Sequence, residues 1–248
     1  MNWPTLLALA TVASTAAPAP ARAAPAVASR ARPPIVVLDP GHGGSNLGAA
    51  GVTGLHEKQL SLTLATAVAD RLRTRGIAVQ LTRSDDRTLT LRQRVAFADQ
   101  VPADLFVSIH ANASPTRTQH GYETYVLTAH GIDIDGRALR SDTATPRPGV
   151  DPDIALVLDD IERGASQWEA ADLAARVQRA LRDRRGPDGD RGVRQDAQHV
   201  LLGATMPAVL VEVGFVDHPL EGRQLADPAT QSQLADAITE AIADQLAD

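Results

Sequence analysis

No cysteine occurs anywhere in the 248 residues. That absence excludes disulfide crosslinks, a thiolate nucleophile, cysteine-ligated zinc and a lipid-anchored cysteine, so a packed core must supply the stability. Aromatic residues make up only 3% of the chain, too few to build a stacking platform for single-stranded nucleic acid. Positive charge is in deficit as well. With 24 Lys+Arg against 30 Asp+Glu the net charge is -6, which gives no electrostatic footprint for DNA or RNA. Lys58 is the sole lysine, a compositional bias rather than chemistry. Long hydrophobic runs are missing too: the sustained apolar run at residues 6–17 is too short to span a bilayer. No self-similarity at a period of roughly 20–50 residues is visible, which argues against a solenoid. What is present is an ordinary apolar share of 44% and enough length to bury a full core.

Residues 1–23 read as a secretory signal, with the apolar run followed by Ala21-Arg22-Ala23, the small residues a signal peptidase needs. No Lys or Arg precedes the run, so the terminal amine alone provides positive charge there. Residues 24–34 are rich in Ala, Arg and Pro and read as a flexible leader. The expectation is an exported chain with no membrane span after cleavage.

From Ile35 onward, short apolar runs alternate with helical patterns. Strands are expected at 35–38, 77–81, 105–109, 122–127, 200–202 and 209–213. The spacing of Leu60, Leu64, Val68 and Leu72 predicts a helix that Gly76 ends. Further helices are expected at 91–101, at 154–184 with a break at Gly164, and at 231–246. Strands that are apolar throughout, separated by helices, predict an α/β domain: a three-layer α/β/α sandwich around a mostly parallel twisted sheet. Functional groups in such sheets collect beyond the carboxyl ends of the strands.

Three residues capable of holding a metal or a proton stand at strand ends. His42 follows the first strand in Asp39-Pro40-Gly41-His42-Gly43-Gly44. His110 follows Phe106-Val107-Ser108-Ile109. Glu212 lies inside the valine run Val209-Leu210-Val211-Glu212-Val213, where a carboxylate is costly unless paired, and a nearby Zn²⁺ would pair it. A hydrolytic zinc site needs three protein ligands and an open position, and two histidines with one carboxylate form an accepted set. Glu57 is the best third ligand, since the first turn of the following helix can point a carboxylate back to the same sheet edge. An N-terminal acid that stabilises the helix dipole is the plainer reading of Glu57 taken alone. His56-Glu57 is not a zincin motif, because position 60 is Leu60.

These segments resemble a known family. The 35–58 stretch, the Ser108-Ile109-His110-Ala111-Asn112-Ala113 block and the 207–215 block, in that order, are similar to the zinc-dependent N-acetylmuramoyl-L-alanine amidases, as are Thr82-Arg83 and the helix containing Arg94. The resemblance spans nearly all of 35–246. It implies one Zn²⁺ per chain held by His42, Glu57 and His110, Glu212 as the catalytic carboxylate, and peptidoglycan as the substrate. Export through residues 1–23 would place the chain in the periplasm, outside the cell or in the cell wall. Asn112 is expected either to hydrogen-bond a ligand or substrate or to be a simple turn residue. Two positions depart from the family pattern: Asn46 stands where an aspartate is common, and Asp99 where an asparagine is common. Neither is a ligand, so they bear only on hydrogen bonding around the site. A zinc carboxypeptidase acting on cell-wall peptides is the alternative function.

The catalytic domain is thus expected over 35–248, with an interruption at 129–163. Its first part is polar and too long for an ordinary connection. It resembles the insertion of division-type amidases, in which a helix blocks the site and a carboxylate caps the zinc until an activator protein moves it. Asp153, Asp159, Asp160 and Glu162 are the candidate caps. A surface loop followed by a packed helix fits the same stretch.

Overall fold

The first strand, β1 (Ile35–Pro40), is apolar from Ile35 to Leu38 because both of its faces are covered, and only Asp39 breaks the run. The computed structural model in which this is seen describes residues 32–127, 152–196 and 199–247. The expected signal segment 1–23, most of the leader 24–34 and residues 129–151 of the expected insertion lie outside the described residues.

After β1 come α1 (Glu57–Thr74), β2 (Ala78–Leu81), α2 (Leu91–Gln100), β3 (Leu105–Asn112), β4 (Tyr122–Leu127), α3 (Pro152–Arg185), β5 (Asp190–Asp196), a 3-10 turn (His199–Leu201), β6 (Ala208–Phe215), α4 (Glu221–Leu225) and α5 (Pro228–Ala247). Local signals set the helix starts. Thr90 Oγ1 accepts from the Gln93 amide while Gln93 Oε1 accepts from the Thr90 amide, a reciprocal cap on α2. Gln59 Oε1 likewise accepts from the His56 amide at the start of α1. Gly76, at φ +77°, takes the left-handed turn beyond the end of α1.

The strands form one sheet in the order β2-β1-β3-β6-β4-β5. The β2, β1, β3 and β6 strands are mutually parallel, whereas β4 runs antiparallel to β6 and pairs in parallel with β5. One face is buried under α1, α3 and α5, which contribute Leu60, Leu64, Leu173, Val177, Leu181 and Ile238 to its core. The other is a smaller core in which Val37, Phe106 and Leu210 of the sheet meet Ala98 of α2 and Val200 and Leu201 of the 3-10 turn. The three-layer α/β expectation holds.

Two expectations about elements do not, and one strand was not among those expected. Residues 200–202 form no strand: the 3-10 turn buries Val200 and Leu201 against the smaller core, and three apolar residues cannot distinguish that from a buried strand. The strand β5, with the sequence Asp-Arg-Gly-Val-Arg-Gln-Asp, is an edge strand with no apolar run to betray it. Gly164 does not break α3, which runs on from Pro152 to Arg185. A Cβ at Gly164 would meet open space, and a lone glycine costs only about 1 kcal/mol in a long helix.

This topology brings the carboxyl ends of β1, β3 and β6 to one edge, with the start of β4 beside them. His110 lies opposite Glu212 in the β3–β6 register, and Glu123 lies opposite Glu212 in the β4–β6 register. A buried ion pair locks the second junction. Glu221 accepts from the amides of Gly121 (3.0 Å) and Phe215 (2.8 Å) and from Arg185 Nη2 (2.6 Å), tying the start of β4 to the end of β6. Replacing Arg185 by Met should leave that carboxylate uncompensated and cost about 3–5 kcal/mol, read as a lowered urea midpoint. A midpoint equal to the parent's would contradict this account of the junction.

Candidate metal centre

His42 sits in a backbone conformation that L-residues avoid, φ +59°. A buried polar framework holds it there. Asp39, fully buried, accepts from Thr82 Oγ1 (2.5 Å), Arg94 Nη1 (2.7 Å) and Ser108 Oγ (2.7 Å). Arg94 then donates through Nη2 to the carbonyl of His42 (2.6 Å). Arg83, equally buried, donates to the carbonyls of Pro40, Gly41 and Lys58. Two arginines thus clamp the turn after β1 by its carbonyl oxygens, and a strained residue persists where the surroundings over-determine it.

The imidazole of His42 is oriented from behind. Asn46 Oδ1 lies 2.9 Å from His42 Nδ1 and also accepts from the Gly48 amide at 3.2 Å. The second bond fixes which amide atom faces the ring, so Nδ1 carries the proton and Nε2 is directed at Glu57. Asn46, the departure from the family pattern, therefore supplies a carbonyl acceptor at this position.

Glu57 opens α1 and is almost wholly buried. Its Oε1 lies 2.9 Å from His42 Nε2 and 2.8 Å from His110 Nδ1, and accepts from the Ala111 amide at 3.1 Å. Its Oε2 accepts from the Ala49 amide at 2.8 Å. Burial alone would raise the pKa of this carboxyl. The hydrogen bonds and charges of His110 and His42 outweigh it and hold the group well below the usual carboxylate range. For His42, burial pulls downward, but the bond to Glu57 and the charge of Glu57 leave its pKa raised above 6.5.

One ligand atom from each of His42, Glu57 and His110 lies within 4.8 Å of the others. The two rings meet edge to face, 4.9 Å apart. Close approach demands glycine on both sides. A Cβ at Gly41 would lie 2.4 Å from the His110 ring, and one at Gly48 would lie 2.6 Å from Glu57 Oε2 and 2.7 Å from His42 Cδ2. The donor set of two imidazole nitrogens and one carboxylate, brought together from three elements, fits a zinc ion.

Glu212 stands beside this group on β6. Its Oε2 is sealed from solvent and has no hydrogen-bond partner among the described residues. Burial first, and then the charges of Glu57 and Glu123, push its pKa well above the usual carboxylate range. Asn112 donates through Nδ2 to Glu123 Oε1 (3.1 Å) and accepts from the Ala113 amide (2.9 Å).

Sequence reasoning missed Glu123. It is buried, faces Glu212 across the antiparallel pair, and collects Asn112, Tyr125, Arg191 and Arg194. The available signal was the one that singled out Glu212: a carboxylate inside an apolar and aromatic strand, Tyr122-Glu123-Thr124-Tyr125-Val126.

Known proteins are similar to this chain in sequence and architecture. The family model described as N-acetylmuramoyl-L-alanine amidase matches residues 36–244. The N-acetylmuramoyl-L-alanine amidase AmiA of Escherichia coli (strain K12) is 33% identical over 216 residues, covering 84% of this chain and 74% of AmiA. Among solved structures, the N-acetylmuramoyl-L-alanine amidase AmiC2 of Nostoc punctiforme superposes with a TM-score of 0.67 at 30% identity, covering 87% of this chain and 98% of that one. The catalytic domain of the amidase CwlV from Bacillus (Paenibacillus) polymyxa var. colistinus gives 0.63 at 30% identity, covering 86% and 98%.

The hydrogen bond behind His42 has a measurable consequence. Asn46→Ala should lower zinc affinity by about 10–100-fold in a chelator-competition titration, while Asn46→Asp should retain it. Unchanged affinity in the alanine variant would remove Asn46 from the support of this ring.

Proposed function

Because this chain belongs to the N-acetylmuramoyl-L-alanine amidase family, we propose that it hydrolyses the amide joining N-acetylmuramic acid to L-alanine in peptidoglycan, using one zinc ion held by His42, Glu57 and His110. The observation that carries this reading is the convergence of those three side chains beside a buried carboxylate oxygen that has no partner among the described residues. When bound there, zinc supplies a Lewis acid that polarises a carbonyl and makes water a competent nucleophile near neutral pH.

The residues of the chain do the rest. Glu212 Oε2 takes a proton from the attacking water as its oxygen adds to the lactyl carbonyl carbon. The carbon–nitrogen bond then breaks, and Glu212 returns the proton to the departing amine of L-alanine. The products are a muramic acid carboxylate and a peptide with a free N-terminus. A raised pKa suits both transfers, because the group must be a base in one step and an acid in the next. Asn46 and the carbonyl clamp of Arg83 and Arg94 hold His42 in place throughout.

The zinc carboxypeptidase alternative has no support in the comparisons. Export through residues 1–23 is part of the proposal, with mature chain starting at Ala24. Among the described residues, no helix is long and apolar enough to cross a membrane. Residues 129–163 are proposed as a regulatory insertion that an activator protein displaces. Their last twelve positions belong to α3, and the rest lie outside the described residues.

Two experiments test the assignment. Glu212→Gln should retain one zinc per chain and lose about 10²–10⁴-fold in turnover; a tenth of the parental rate would refute the role given to Glu212. Mass spectrometry of digested cell wall should show stem peptides beginning with L-alanine, whereas peptides trimmed only at their C-termini would overturn the reaction.

A further inference from the structure

The carboxylate of Glu123 is almost completely buried, yet it holds two arginines at the edge of the site. Its Oε2 receives Arg191 Nε at 2.9 Å and faces Arg194 Nε at 3.4 Å. Its Oε1 accepts from Asn112 Nδ2 and Tyr125 Oη, each at 3.1 Å. Arg191 is further fixed by a bond to Gln119 Oε1 (3.3 Å) and by its position over the Phe215 ring, 5.1 Å from the centroid. Both guanidiniums are held through Nε, and their side chains remain 29% and 50% exposed. Taken by themselves, one acid and two guanidiniums sum to a single positive charge. The planar fork of arginine matches a carboxylate better than a lysine does.

The position of this cluster relative to the reacting groups gives it a direction. The candidate metal-binding side chains come from the turn after β1, from α1 and from β3, Glu212 lies next on β6, and Glu123 with its arginines follows on β4 and β5. On the proposed reaction, Glu212 delivers the proton to the leaving amine. The amine therefore lies on the Glu212 side of the metal, and the peptide attached to it extends toward β4 and β5. On the opposite flank Lys58 pairs with Asp86 and Arg87 with Asp85, while Arg83 and Arg94 are buried and occupied by backbone carbonyls and Asp39. The glycan half of the substrate is uncharged around the bond to be cut, whereas the peptide half carries free carboxylates.

We propose that Arg191 and Arg194, both anchored on Glu123, form a subsite that binds a carboxylate of the stem peptide on the leaving-group side. The inference rests on the amidase reading and adds to it a preference within the substrate. Glu123 acts here as a positioning residue: it spends its own charge to fix one arginine and steady the other.

The test compares two synthetic substrates, N-acetylmuramoyl-L-alanyl-D-glutamate and the same compound with its glutamate carboxylates amidated, using the zinc-loaded protein and its Arg194→Gln variant. The parent should cleave the free acid with kcat/KM about tenfold higher than the amide, the difference lying mainly in KM. In Arg194→Gln the KM for the acid should rise until the two substrates are cleaved alike, and Arg194→Lys should recover only part of the preference. Equal cleavage of both substrates by the parent would overturn the subsite. So would a variant that loses the same factor on both, since that marks a structural role. Should the parent cleave neither while cell wall is also left intact, the amidase reading falls and takes the subsite with it. Cleavage of cell wall together with neither dipeptide would overturn the subsite alone.

Discussion

One oxygen of Glu57 lies within 3 Å of a nitrogen from each of two imidazoles, and the electrostatics of that meeting govern the site. Asn46 Oδ1 accepts a hydrogen bond from His42 Nδ1, so His42 Nε2 turns a lone pair toward the Glu57 carboxylate, a repulsive contact unless a positive charge sits between them. A proton can meet that need, and the hydrogen bond and charge of Glu57 raise the pKa of His42 against the opposing pull of burial. A divalent cation among the three groups meets it better, because it satisfies both lone pairs and the carboxylate at once. Every neighbouring feature serves to keep these groups together against their own desolvation.

The scaffold cost is visible around that point. His42 is held at positive φ, Gly41 and Gly48 have no room for a Cβ, and two arginines are buried to grip a single turn by its carbonyls. Asp39 provides a buried countercharge through its 2.7 Å bond with Arg94. Such a framework tolerates little movement, as expected where ligands must be preorganised to a fraction of an ångström. The Glu221–Arg185 junction does the same for the opposite flank, keeping β4 in register so that Glu123 stays across from Glu212.

The ligand candidates were legible in the sequence for a physical reason. Polar, metal-capable residues at the ends of apolar strands are rare, and parallel strands carry their ends to one edge, so His42, His110 and Glu212 could be grouped before any coordinates. Glu57 could be added because the first turn of the next helix reaches that edge. The outer part of the site was not legible. The strand β5 is polar because it lies at the sheet edge, and its two arginines look like ordinary solvated charges until β4 is known to pair with β6 in the antiparallel sense. Glu123 carried the same warning as Glu212, a charge within a buried strand, but its partner lay on an element that periodicity could not reveal. Residues 200–202 show the opposite error: an apolar triplet reports burial, and burial in a 3-10 turn satisfies it as well as a strand does.

Anomalous diffraction at the zinc edge, on crystals of the zinc-loaded protein, tests the central claim most directly. The account predicts one ion per chain, about 2.0–2.2 Å from each of His42, Glu57 and His110, with Glu212 nearby but not coordinating. An ion bound elsewhere, or ligated by Glu212 in place of Glu57, would contradict it.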